Sequence, residues 1–198
     1  MRTLSIICCS VLRREIEAFA LRQYPDAELI FLDSMLHMHP EKLRLTIDAA
    51  LAARPDRDCL LVYGDCHAHM HETGQRPHCA RTNAVNCGEL LLGRETYRCF
   101  RNQKVFLFLP EWTERWKEVF IKELGFSDQS LARDFMLESQ RRFVYLDTGL
   151  IPVPKIALEE IADYFGMPVD VLPVSLNALH QNVGLAVQHL QTRDAHEA

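Results

Sequence analysis

Short apolar, β-compatible runs alternate with helix-patterned segments along this chain, and that alternation restricts its fold more than any other feature. Thr3 to Cys9 (TLSIICC) reads as a first strand, and the segment from Val11 to Tyr24 follows with Leu12, Ile16, Phe19, Ala20 and Gln23 at helical spacing. Pro25 and Asp26 stop that helix. Glu28 to Leu32 (ELIFL) is a second strand, and a helix opened by Pro40 runs to Ala53. Cys59 to Tyr63 (CLLVY) is a third strand, followed by Gly64, Asp65, Cys66 and a polar, histidine-rich loop to about Thr82.

The same rhythm continues. A short helix over Asn86 to Leu92 is closed by Gly93, and Lys104 to Leu109 (KVFLFL) is a fourth strand ended by Pro110. Helices over Trp112 to Leu124 and Ser127 to Gln140 are parted by Gly125. Phe143 to Leu146 is a fifth strand, Lys155 to Phe165 a helix, Val169 to Leu172 a sixth strand, and Ser175 to Leu190 the last helix. Parallel strands need crossover connections of about a dozen residues, usually helical, so the pattern predicts an α/β fold. The expected architecture is a Rossmann-like three-layer sandwich, a largely parallel sheet of five to six strands with helices on both faces. We expect one domain over residues 1–191 and a disordered tail over 192–198.

Composition removes several function classes. Net charge is −5, and Arg13, Arg14, Arg141 and Arg142 are scattered pairs rather than a basic stripe, which argues against a nucleic-acid partner. The N-terminal apolar run ends at Arg13 without a small-residue cleavage site, and the other runs are too short to span a bilayer. No membrane association is expected. Seven cysteines, an odd number in a chain without an export signal, read as reduced thiols in a cytoplasm rather than a disulfide framework.

In open parallel sheets, ligands bind outside the carboxyl ends of the strands. Cys8 and Cys9 end strand one, His37 follows strand two, and Asp65, Cys66 and His67 follow strand three. Cys87 opens the helix after the loop, and Asp147 follows strand five. Thiolate and imidazole together suit zinc, with iron or an iron-sulfur cluster as the nearest competitor. The helix dipole is expected to lower the pKa of Cys87. Asp65 and Glu89 are candidates to orient ligands or act as bases, and Asp147 to line the cleft. Cys59 and Cys99 read as core. Phosphate-binding glycine loops and the GxSxG elbow are absent from the sequence.

The combination of Cys9-x-Val11-Leu12 with Glu15, His37-x-x-Pro40 with Leu43, Tyr63-Gly64-Asp65-Cys66, Asn86-Cys87-x-Glu89-Leu90-Leu91-Leu92-Gly93 with Tyr97, and Leu146-Asp147-Thr148-Gly149 resembles the domain-of-unknown-function family 1638 over roughly residues 3–190. The resemblance implies Cys9 rather than Cys8, together with His37, Cys66 and Cys87. It also implies a context of corrinoid-dependent methyl transfer, with a corrinoid protein or methyltransferase as partner. One departure is His67, where a glycine commonly follows the motif cysteine; it becomes the spare ligand.

Two functions follow. The first is a metal-dependent transferase or hydrolase in which zinc activates a small-molecule ligand such as a thiol or water. The second is a carrier module for a corrinoid, a tetrapyrrole or a metal cargo.

Overall fold

Each apolar run identified above becomes a strand, and each is paired in parallel with a non-consecutive neighbour or through a helical crossover. A computed structural model describes residues 2–197 of the chain. Contacts divide it into one unit of Met1–Leu91 with Leu176–Ala198 and a second of Leu92–Ser175.

The first unit carries β1 (Thr3–Cys9), β2 (Glu28–Leu32), β3 (Arg57–Val62) and β4 (Cys79–Arg81), in the order β2-β1-β3-β4. All three pairings are parallel. β1 lies inside the sheet, and Ile6, Ile7 and Cys8 are at most 1% exposed, which is why its apolar run is continuous rather than alternating. A 3-10 turn, Ser10–Leu12, leads from β1 into α1 (Arg13–Gln23), which buries Ile16, Phe19 and Ala20 at three- and four-residue spacing. A second 3-10 turn, Ser34–Met38, leads from β2 into α2 (Pro40–Ala52), whose buried residues are Leu43 and Ile47. α3 (Met70–Gly74) lies between β3 and β4, and α4 (Cys87–Leu92) follows β4.

The last helix, Asn177–Glu197, returns to pack on β3 and β4. Asn182 fixes it there by accepting from the Asn83 N–H (2.8 Å) and donating to the Asn83 carbonyl (3.1 Å). This helix runs on to Glu197 through residues where the sequence places a disordered tail; Ala198 lies outside the described residues.

The second unit holds β5 (Val105–Phe108), β6 (Arg142–Asp147) and β7 (Val169–Pro173), parallel and in that order. α5 (Arg94–Asn102), α6 (Pro110–Glu114), α7 (Gln129–Ser139) and α8 (Lys155–Phe165) accompany them. Phe108, Phe120, Phe143 and Phe165 form an aromatic core with ring centroids 5.4–6.0 Å apart. The single helix expected from Trp112 to Leu124 is instead α6 followed by a π-helical segment, Lys117–Glu123. A wider turn sets successive side chains at a smaller angle, and here adjacent Val119 and Phe120 are both buried.

The chain is therefore α/β with parallel sheets flanked by helices, in sheets of four and three strands rather than one of five to six. The additional strand is β4, three residues within the polar loop, held to β3 by the Cys59–Cys79 to Leu61–Arg81 register. Among the described residues no helix is long and apolar enough to cross a membrane.

At the amino ends of the strands a polar clamp ties β1, β2 and β3 together. Arg54 makes two hydrogen bonds to the Glu28 carboxylate (2.7 and 2.8 Å), and the Ser5 hydroxyl donates to the same group while accepting from Arg57. The hydrogen bonds from Arg54 hold the Glu28 pKa down at about 2. An unfolded glutamate titrates near about 4.3. The folded state therefore gains stability above that value and loses it as pH falls toward about 2. With screening of a carboxylate 41% exposed, the contribution is about 1 kcal/mol. Urea midpoints of Glu28→Gln are expected to lie below wild type at pH 7 and to converge with it by pH 2.

Candidate functional site

The carboxyl ends of β1 and β3 lie side by side. Cys8 pairs with Val62 as the last matched residues, and the next residues along are Cys9 and Tyr63. Paired residues of a parallel ladder project to the same face, so Cys9 and Tyr63 share one and Cys8 takes the other. Cys8 is wholly buried, and its S–H donates to the Cys9 carbonyl at 3.2 Å. Cys9 is 7% exposed.

After Tyr63 the backbone presses against the segment leading into α4. A Cβ on Gly64 would lie 2.4 Å from the Val85 carbonyl carbon and 2.5 Å from the Asn86 Cα, an approach open only to glycine. The Asp65 N–H then donates to the Val85 carbonyl (3.0 Å). On the other side of this contact, Asn86 Oδ1 accepts from the Glu89 N–H (3.0 Å) and Glu89 Oε2 accepts from the Val85 N–H (3.1 Å). That reciprocal arrangement is a relative of the capping box, and it sets where α4 begins. Two loops far apart in sequence are thereby locked, and each carries a cysteine, Cys66 and Cys87.

The thiols gather accordingly. Cys87 and Cys9 share a side-chain hydrogen bond, and Cys87 also feels Cys66 and Cys8 electrostatically. The hydrogen bond to Cys9, then burial, raise the Cys87 pKa well above that of a free thiol. Burial, then the neighbouring Cys9, push Cys66 up to about 11. This corrects the expectation that the helix dipole would lower Cys87. A dipole contributes about 0.3–1 kcal/mol at an exposed helix end, too little against clustered, desolvated thiols. Cys66 and Cys87 are nonetheless part-exposed, so the cluster opens toward solvent.

Tyr63 completes the group. It is 1% exposed, and its hydroxyl has no hydrogen-bond partner among the described residues. Burial, then Cys9, Cys8, Cys87 and Cys66, raise its pKa. The sequence reading counts Tyr63 as the last residue of a strand and the first of the Tyr63-Gly64-Asp65-Cys66 motif but gives its side chain no role; the structure ends β3 at Val62, one residue before it.

The remaining candidates lie elsewhere or have structural partners. His37 is exposed in the 3-10 turn after β2, with its pKa lowered by desolvation of the ring. Asp65 is paired with Arg81 at 2.7 Å, and Glu89 is the buried cap described above. His67 is buried, with Nδ1 accepting from the His69 N–H (3.2 Å). Its charged neighbours are Asp48, His69, Arg44 and Arg76 rather than the cysteines. Asp147 belongs to the second unit, where its carboxylate accepts from the Gly149 N–H (2.9 Å) in a tight turn at positive Gly149 φ. Cys59 and Cys79 are buried cross-strand neighbours, and Cys99 is exposed. Among the described residues no three His, Cys, Asp or Glu groups stand as a ready metal shell.

Sequence reading also passed over a cleft of about 740 Å³ in the second unit, lined by Trp116, Lys117, Pro152, Pro154, Lys155 and Ile156 among others. Its lysine at 117 is already paired with Glu160 at 2.8 Å.

Fold and site together define a parallel α/β protein with a cluster of thiols at the carboxyl edge of its first sheet. The chain belongs to the family described as Protein of unknown function (DUF1638), whose model matches residues 31–183. Searches of curated proteins and of solved structures find no match.

Proposed function

We propose that this protein binds a metal ion through Cys9, Cys66 and Cys87, with His37 as the imidazole ligand and zinc as the favoured ion. The observation that carries the reading is the close approach of Gly64 to Val85 and Asn86, which holds the loop bearing Cys66 against the start of the helix bearing Cys87, beside the strand end that bears Cys9. Burying thiols together disfavours thiolates as long as no cation is present. A divalent cation reverses that balance, because a coordinating thiol is deprotonated outright. His37 lies five positions beyond Leu32, the β2 residue paired with Cys9, and so on the same edge of the sheet.

The part-exposed positions of Cys66 and Cys87 favour a site that admits a small ligand over a closed structural one. A thiol bound there would be held as thiolate, ready to accept a methyl group, and a methylated corrinoid protein is the donor that the family resemblance suggests. Water activated for hydrolysis is the other use of the same open position. An iron centre would occupy the same donors.

The test is metal content of anaerobically purified, chelator-free protein with all thiols confirmed reduced. One equivalent of zinc is expected, together with no visible absorption. Less than a tenth of an equivalent of any metal, with no uptake on adding zinc, refutes the proposal. A coloured protein would instead identify an iron-sulfur, corrinoid or tetrapyrrole cargo and favour the carrier role.

A further inference from the structure

Six of the eleven arginines and lysines of the second unit lie in two short runs, Arg94, Arg98, Arg101 and Lys104 and then Arg141 and Arg142, with Glu95 as the one carboxylate among them. The rest of the unit carries five basic residues against twelve acidic ones. The two runs are far apart in sequence, and the fold joins them. α5 ends beside the amino end of β5, where the Lys104 N–H donates to the Arg101 carbonyl (3.0 Å) and the Arg141 N–H donates to the Lys104 carbonyl (2.8 Å). Arg142, next along, pairs with Val105 across the β5–β6 ladder. On α5 itself Arg94, Arg98 and Arg101 stand at four- and three-residue spacing, along one face.

All six side chains are exposed. Arg142 is paired with Asp170 at 2.6 Å. Arg98, Arg101, Lys104 and Arg141 have no hydrogen-bonding or ionic side-chain partner among the described residues. Cations gathered at one edge without counter-charges repel one another and weaken the folded state. Lys104 adds backbone strain to that repulsion. Its φ is 56°, in the left-handed region, at the position just past a helix end that glycine commonly fills. A side chain there is strained where glycine would not be. The chain thus keeps a cation at a place where local structure favours the residue with no side chain.

We propose that this basic edge is a docking surface for a partner protein that presents a compact cluster of carboxylates. Charge complementarity sets the sign of the partner, and an arginine holds a carboxylate through two parallel N–H donors. The extent of the patch sets the partner's kind. Glu95 on α5, Glu138 three residues before Arg141, and Asp170 beside Arg142 mark its limits, and the rest of the unit is acidic. An extended polyanion, whether a nucleic acid or an anionic lipid surface, would run past the edge onto that acidic remainder and be repelled there, whereas a bounded acidic patch fits within it. The surface lies wholly within the second unit and does not depend on the metal-binding reading.

The test is fluorescence anisotropy of a labelled oligoglutamate peptide with the full-length protein, in low salt and at about 0.15 M salt. Wild type is expected to bind in low salt and at least about tenfold more weakly at the higher salt, since exposed charges are screened. Arg98→Gln combined with Arg101→Gln is expected to weaken binding about tenfold with an unchanged urea midpoint, because neither side chain has a partner to lose. Lys104→Gly is expected to bind more weakly while unfolding at a higher urea concentration, since it relieves strain and removes a charge together. Arg22→Gln combined with Lys42→Gln removes two exposed cations of the first unit and is expected to bind as wild type does.

Failure of wild type to bind the peptide in low salt overturns the proposal. So does an Arg98→Gln, Arg101→Gln protein that binds as wild type does, or one that loses no more than the first-unit variant. Tighter binding of oligothymidylate or of phosphatidylserine vesicles than of the peptide, compared at about 0.15 M salt, overturns it in favour of a nucleic acid or a membrane.

Discussion

Gly64→Ala is expected to destabilise the protein by about 1–3 kcal/mol or more, the usual range for forcing an extra group into a packed site, and to abolish the thiol cluster. The added Cβ would meet backbone atoms, the carbonyl carbon and oxygen of Val85 at 2.4 Å and the Asn86 Cα at 2.5 Å, rather than the yielding end of a side chain. Relief requires the Tyr63–Cys66 loop to move away from the segment preceding α4. That movement breaks the Asp65 N–H to Val85 carbonyl bond and separates Cys66 from Cys87. Gly184, in the last helix with no atom within 4 Å of its missing Cβ, provides the comparison. Gly184→Ala is expected to be neutral or to stabilise by about 0.5–1 kcal/mol, since alanine is the better helix former. Urea denaturation of the two variants, with zinc content measured in parallel, separates them. A Gly64→Ala protein as stable as wild type and still loaded with metal would show that the close approach does not hold the site.

Part of this arrangement was readable from the chain alone. β1, β2, β3, β5, β6 and β7 were visible because their runs are apolar and most are bounded by proline, glycine or aspartate. Cys9, Cys66 and Cys87 stood out because they lie at the end of a strand, shortly beyond one, and at the opening of a helix. β4 was not legible, since Cys79, Ala80 and Arg81 owe their strand conformation to pairing with β3, a contact made across some twenty residues. α5, RETYRCFRN, was missed for another reason: it is short, rich in charge and buries none of its residues. The division into two sheets depends on non-local pairing that periodicity does not encode.

Chemistry was less legible than fold. Position at a helix start argued for an acidic Cys87, but pKa depends on what surrounds the sulfur in three dimensions, and the surroundings are other thiols. Likewise Glu89 looked like a base in sequence and is a cap in space, and His67 looked like a ligand and faces the charged residues of α2 and Arg76. The phenol of Tyr63 became visible only when its missing partner did.

Metal-free protein is expected to lose stability as pH rises above about 8.5, and zinc is expected to remove that loss. An unfolded cysteine titrates near about 8.5, whereas Cys66 is raised to about 11 and Cys87 is raised as well. A folded pKa above the unfolded one means the contribution is complete below the unfolded value. It declines through the interval up to the folded value, because there the unfolded chain releases protons that the folded one retains. The declining window for Cys66 is therefore about pH 8.5 to 11. Zinc acts in the opposite sense, since it binds the deprotonated form and each displaced proton makes its apparent affinity rise about tenfold per pH unit below the thiol pKa. Cys87→Ser removes one thiolate and the hydrogen bond to Cys9 together. Its zinc affinity is expected to fall by more than about 100-fold, the upper end for loss of an outer-shell partner alone. Competition titrations with a chromophoric chelator between pH 6 and 8, run alongside alkaline urea melts, read both slopes. A zinc affinity independent of pH would mean that the thiols are not the ligands, whereas a steep slope in wild type that becomes shallower in Cys87→Ser counts the protons that Cys87 contributes.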